Sequence, residues 1–169
     1  METHKQVNLK YGDWGGYNSP NTNERRGELP LAFWFIENYN DDLIELGEVT
    51  DFYRDGKHPV YDLCKSKENT IVMDILDVDY KGKNVVSLST IEHVGNGDYG
   101  YEKSDNKALD VLNKIIKDAK NYLISFPIGY NRGLEKVIVD NDIDYIILKR
   151  DENNNWEQID EKEIGRAHV

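Results

Sequence analysis

Cysteine is almost absent from this chain: its 169 residues include one, Cys64. That excludes an internal disulfide and any zinc site built from several thiolates. Basic charge is scarce as well, with 21 Lys and Arg against 32 Asp and Glu and a formal net charge of −11. Proteins that bind nucleic acid carry a basic stripe to meet the phosphates. None runs through this sequence, so nucleic acid is not an expected partner. An anionic membrane surface is disfavoured on the same ground. Long apolar runs are missing too. The best one, residues 29–36, is broken by Pro30 and falls short of the roughly 18 residues a membrane helix needs. Residues 1–11 are polar and lack the apolar stretch of a secretion signal, so the expected setting is cytoplasmic.

What the chain does have is aromatic mass. Eleven Tyr, four Phe and three Trp supply packing groups to an otherwise polar composition, enough for one domain core. Residues 1–22 are rich in Gly, Asn and Tyr without a sustained period and read as an irregular lead-in. Residues 23–163 carry the domain. The last six, Ile164-Gly165-Arg166-Ala167-His168-Val169, match the translation of a common sequencing-library adapter up to its stop codon. They are expected to be a scar without packing partners, with the natural chain continuing past Glu163.

Within the domain, Leu29, Ala32, Phe33 and Ile36 fall at i, i+3, i+4 and i+7, which predicts a helix over 24–39. Pro30 implies a kink or a start near it, because it cannot donate to the preceding turn. Short apolar runs follow at 43–46, 58–63, 70–73, 84–88 and 122–126, the last stopped by Pro127. Leu109, Leu112, Ile115 and Ile116 put an apolar stripe on a helix over 108–119. Runs at 144–148 and 156–159 flank the polar 151–155, which suits a hairpin that closes the sheet. The pattern predicts an α/β three-layer sandwich: a mostly parallel sheet with helices on its faces and an antiparallel C-terminal hairpin. The run Leu43-Ile44-Glu45-Leu46 fits a central strand, lying beside the one that ends at Asp62.

Ligands of such sheets bind at the carboxyl ends of the strands, near the point where strand order reverses. Here successive strand ends offer Glu45 and Gly47, then Asp62, then Asp74, then Ser89, Glu92 and His93. Carboxylates accept hydroxyl and amine hydrogens, and a glycine lets backbone approach a ligand, so the series suits a ligand carrying ribose and adenine. Taken singly, each acid is as readily a polar turn residue.

The stretches Asn23-Glu24-Arg25-Arg26-Gly27-Glu28-Leu29-Pro30, Leu43-Ile44-Glu45-Leu46-Gly47-Glu48-Val49, Met73-Asp74-Ile75-Leu76-Asp77 and Ser87-Leu88-Ser89-Thr90-Ile91-Glu92-His93-Val94-Gly95 resemble the Rossmann-like methyltransferases that use S-adenosylmethionine. They look most like the bacterial and phage branch associated with surface polysaccharides. The last stretch is the most specific. The resemblance implies that Glu45 and Gly47 line the methionine part of the cofactor and that Asp62 holds the ribose hydroxyls. It implies that Asp74 and the Ile75 backbone face the adenine, with Ser89, Glu92 and His93 near the methyl group. One departure stands out: of the glycines usual in the first loop, only Gly47 is kept. The sulfonium is already activated, so the protein's task is alignment and water exclusion, with His93 or Glu92 as base if the acceptor is a hydroxyl. A small molecule or a sugar is the expected acceptor. Two other readings remain: a non-catalytic nucleotide-binding module of the same fold, and a metal-dependent glycosyltransferase using Asp77-x-Asp79.

Overall fold

A computed structural model describes residues 24–64, 67–98, 103–104, 106–140, 143–153 and 155–159. The lead-in and the adapter-like tail lie outside the described residues. Five parallel strands form the main sheet: β1 (Leu43–Leu46), β2 (Val60–Asp62), β3 (Thr70–Val72), β4 (Asn84–Leu88) and β5 (Asn121–Ser125), in the order β3-β2-β1-β4-β5. Every residue of β1 and β4 is buried, as expected of strands covered on both faces. The two pair in register from Leu43 opposite Asn84 to Leu46 opposite Ser87. β1 is therefore central and lies beside β2, as the apolar run predicted.

Alternation along these strands builds two cores. One face carries Leu43, Val86 and Leu88 against Leu29, Ala32, Phe33 and Phe35 of helix α1 (Arg25–Asn38). The other carries Ile44, Leu46 and Val85 against Val111, Leu112 and Ile115 of helix α2 (Lys107–Asp118), with Leu134 of helix α3 (Arg132–Asp140). The result is the expected α/β sandwich, its sheet enclosed between α1 and the α2–α3 pair. α1 runs from Arg25 to Asn38, in line with the predicted span of 24–39, and it passes through Pro30 instead of starting near it. The apolar face of the following turns holds the helix where one backbone hydrogen bond is missing.

Three features depart from the sequence reading. α3 was not anticipated, although Leu134, Val137 and Ile138 have helical spacing and face the α2 core. The hairpin strands are β6 (Ile147–Arg150) and β7 (Trp156–Ile159), so β6 begins three residues later than the apolar run; Tyr145 and Ile146 are exposed. The hairpin also forms its own two-stranded sheet instead of closing the main one. It docks on α1: a Cβ on Gly27 would lie 3.2 Å from the Trp156 ring, so the small residue makes room for the indole.

Candidate functional site

Order reversal falls between β1 and β4, and the candidate residues gather on the carboxyl edge around that point. Gly47 leaves β1 with φ +74°, in the left-handed region. A Cβ there would lie 2.2 Å from Thr90 Oγ1, so the turn after β1 and the turn after β4 touch through a missing side chain. Gly47→Ala is expected to destabilise the fold by about 2 kcal/mol, combining left-handed strain with the clash. Adding Thr90→Gly should recover the steric share, which a double-mutant cycle read by chemical denaturation measures.

Glu45 is fully buried and its side chain curls over this loop. Its Oε1 accepts the Val49 and Thr50 N–H groups at 3.0 and 2.8 Å. Its Oε2 accepts the Thr50 hydroxyl, and the ring of His58 at 2.9 Å. Both oxygens are thus taken up by the chain itself. Glu45 shapes the loop from within. Glu48 turns back toward Thr70, whose hydroxyl donates to its Oε2 at 3.2 Å, and burial pushes its carboxyl up from the ordinary value.

At the end of β2, Asp62 accepts the Glu48 N–H at 3.1 Å and the Cys64 N–H at 2.9 Å, one on each oxygen. Each oxygen keeps a second acceptor position. Beyond β3, Asp74 accepts the Leu76 N–H at 3.0 Å and an ion pair from Lys107 in the first turn of α2. Partial burial pushes this carboxyl up, but the hydrogen bonds from Lys107 and Leu76 outweigh it and hold it below the usual carboxylate range. Ile75 is buried, and its carbonyl accepts the Tyr80 hydroxyl. Asp77 and Asp79 are both exposed, with Asp79 accepting the Lys81 N–H at 3.1 Å in a turn.

The end of β4 is the most elaborate part. Ser89 has φ +43°, unusual for a residue with a side chain, and donates its hydroxyl to Glu28 Oε1 at 2.7 Å. Ser125, at the end of β5, donates to the same oxygen at 2.6 Å. Arg25 pairs with the other oxygen of Glu28, so α1 is clamped to two strand ends through one buried acid. Glu92 is buried too, and no hydrogen-bond partner of its Oε2 is found among the described residues. Burial, reinforced by the charges of Glu28 and Glu24 and partly offset by Arg25, pushes it up to about 7.

His93 lies next to it, with Nε2 3.8 Å from Glu92 Oε1. Its Nδ1 is 2.7 Å from Asp98 Oδ2. Tyr130, from the turn after β5, donates its hydroxyl to that oxygen at 2.8 Å, and the Asn96 amide donates to it at 3.2 Å. Hydrogen bonds from His93 and then Tyr130 hold the Asp98 carboxyl below its usual range. The sequence reading missed Asp98, Tyr130, Glu28, Ser125 and His58. Glu28 stood in a quoted stretch, and the others carry no local pattern that marks them.

A depression of about 450 Å³ lies at the opposite, amino edge of the strands, bordered by Asn40, Lys57 and Lys83. None of the sequence-derived candidates lines it. Among the described residues, no helix is long and apolar enough to cross a membrane. Comparison with protein-family models, with curated proteins and with solved structures finds no match.

Proposed function

We propose that the chain binds S-adenosylmethionine along the carboxyl edge of the sheet and transfers its methyl group to a small-molecule or sugar acceptor. One observation carries this reading. The strand order reverses between β1 and β4, and Asp62, Asp74 and the Ser89–His93 turn stand at successive strand ends on that edge. Asp62 fits a ribose, since each of its oxygens already holds one backbone N–H and has room for one hydroxyl hydrogen. Asp74 is set beside it for an amine, its oxygens oriented by Lys107 and Leu76.

The methionine half is held differently from what the resemblance implies. Glu45 is engaged inside the fold and Glu48 faces Thr70, so that half rests on the loop backbone and on the Ser89–His93 turn. When bound, the sulfonium supplies an activated methyl group. The chain's own work is to align it with the acceptor and exclude water.

Calorimetric titration of the full chain with S-adenosylmethionine and S-adenosylhomocysteine tests the reading. Both are expected to bind, and Asp62→Ala is expected to weaken binding by about 1–3 kcal/mol through the loss of a charged partner for hydroxyls. Heat with a nucleotide sugar plus manganese, and none with either sulfur ligand, would replace it with the glycosyltransferase reading. Binding of adenine nucleotides alone would favour the non-catalytic module, which the single glycine of the first loop also suits.

A further inference from the structure

The group around His93 spans three segments. His93 sits in the turn after β4, Asp98 follows in the next loop, and Tyr130 comes from the turn after β5. The tyrosine ring packs edge-on against the imidazole, with ring centres 4.9 Å apart and planes at 64°. Its hydroxyl reaches both Asp98 Oδ2 and His93 Nδ1, the latter at 3.1 Å. Imidazole, phenol and side-chain amide therefore converge on a single carboxylate oxygen.

A carboxylate only accepts hydrogen bonds, so at 2.7 Å it fixes the imidazole proton on Nδ1. Nε2 is then the basic nitrogen. It belongs to a side chain 27% exposed and lies 3.8 Å from Oε1 of the buried Glu92. The arrangement matches what a general base requires: a ring held in one tautomer by an acid behind it. A structural histidine in this turn would need one hydrogen bond and no such convergence.

We infer that Asp98 and Tyr130 are positioning residues that hold His93 as the proton acceptor of the site, so that the acceptor is a group that loses a proton on transfer, which for a sugar is a hydroxyl. This rests on the methyltransferase reading. In the step it describes, the acceptor O–H bond breaks as its oxygen forms a bond to the methyl carbon. The carbon–sulfur bond breaks to leave a neutral thioether, and the proton goes to His93 Nε2. A carboxylate or thioether acceptor has no proton to lose and would leave this apparatus without a task.

Nitrogen-15 NMR of the full chain, labelled at histidine, tests the inference through the tautomer of His93. The wild type is expected to hold the neutral ring with its proton on Nδ1. Asp98→Asn should produce a mixture of tautomers, Asp98→Glu should restore the single form, and Tyr130→Phe should loosen it partially. Adding the sulfonium S-adenosylmethionine should shift the His93 ring signals differently from the neutral S-adenosylhomocysteine, because a positive charge then lies close to Nε2. A proton on Nε2 in the wild type, or no response to Asp98→Asn, would overturn the dyad. Identical His93 signals with both ligands bound would overturn its place at the reacting methyl. Absence of binding by either ligand would remove the methyltransferase reading itself and with it the role given to the dyad, while the tautomer result would still report the geometry.

Discussion

Glu45→Ala is expected to lower the unfolding free energy by about 3–5 kcal/mol, the loss typical when one partner of a buried charged network is removed. The carboxyl is fully buried and accepts from two backbone N–H groups, one hydroxyl and one imidazole. Alanine leaves all four donors without their acceptor and adds a cavity in the centre of the sheet. A domain of this size commonly has only about 5–15 kcal/mol in hand. Glu45→Gln should lose less, because one oxygen still accepts while the new amide opposes the His58 ring. Urea unfolding with an unchanged m-value is the measurement. A shift of less than about 1 kcal/mol for the alanine variant would show that the loop holds its shape without this side chain.

The second large effect is one of pH. Burial keeps the Glu92 carboxyl protonated up to about 7, against an ordinary value of 4.5. Between those values the folded chain keeps a proton that the unfolded chain has released, so rising pH favours unfolding. The gap converts to about 3 kcal/mol of stability, fully present below pH 4.5, lost progressively as the pH rises toward about 7 and gone above it. Glu92→Gln removes the titration while keeping the shape. The stability of this variant relative to the wild type should therefore rise by about 3 kcal/mol from pH 4.5 to 8. Asp74 and Asp98 are held low in the folded state and act in the opposite sense at acid pH. They titrate in both proteins, so the difference isolates Glu92. Parallel curves for the two proteins would show that Glu92 ionises normally where it stands.

Much of the fold was legible because its signals are local. The runs at 43–46 and 84–88 are apolar enough to be buried on both faces, and both are central strands. The acidic ends of β1, β2 and β3 do fall on one edge, because parallel strands send every carboxyl end the same way. The site was legible only as a list of strand ends. Which acids are engaged within the fold depends on partners far along the chain. Glu45 meets His58 13 positions away, and His93 meets Tyr130 37 positions away. No periodicity announces such pairs. The hairpin failed in a different way: two strands show in sequence that they pair with each other, but not whether they join a third. Trp156 fits over Gly27, and that contact is written in no window of either segment.

The clamp made by Glu28 bears on how the chain comes into being during synthesis. Its two serine partners lie 61 and 97 residues downstream. At the ribosome's pace of roughly 5–20 residues per second, Ser125 is made about 5–20 s after Glu28. For that interval α1 has emerged while the sheet it will cover is still incomplete, because β4 and then β5 have yet to be made, and Leu29, Phe33 and Phe35 rest on only part of their final surface. The first described helix thus completes its docking only after the fifth strand has been made. Until then, part of its apolar face is surface that a chaperone can shelter.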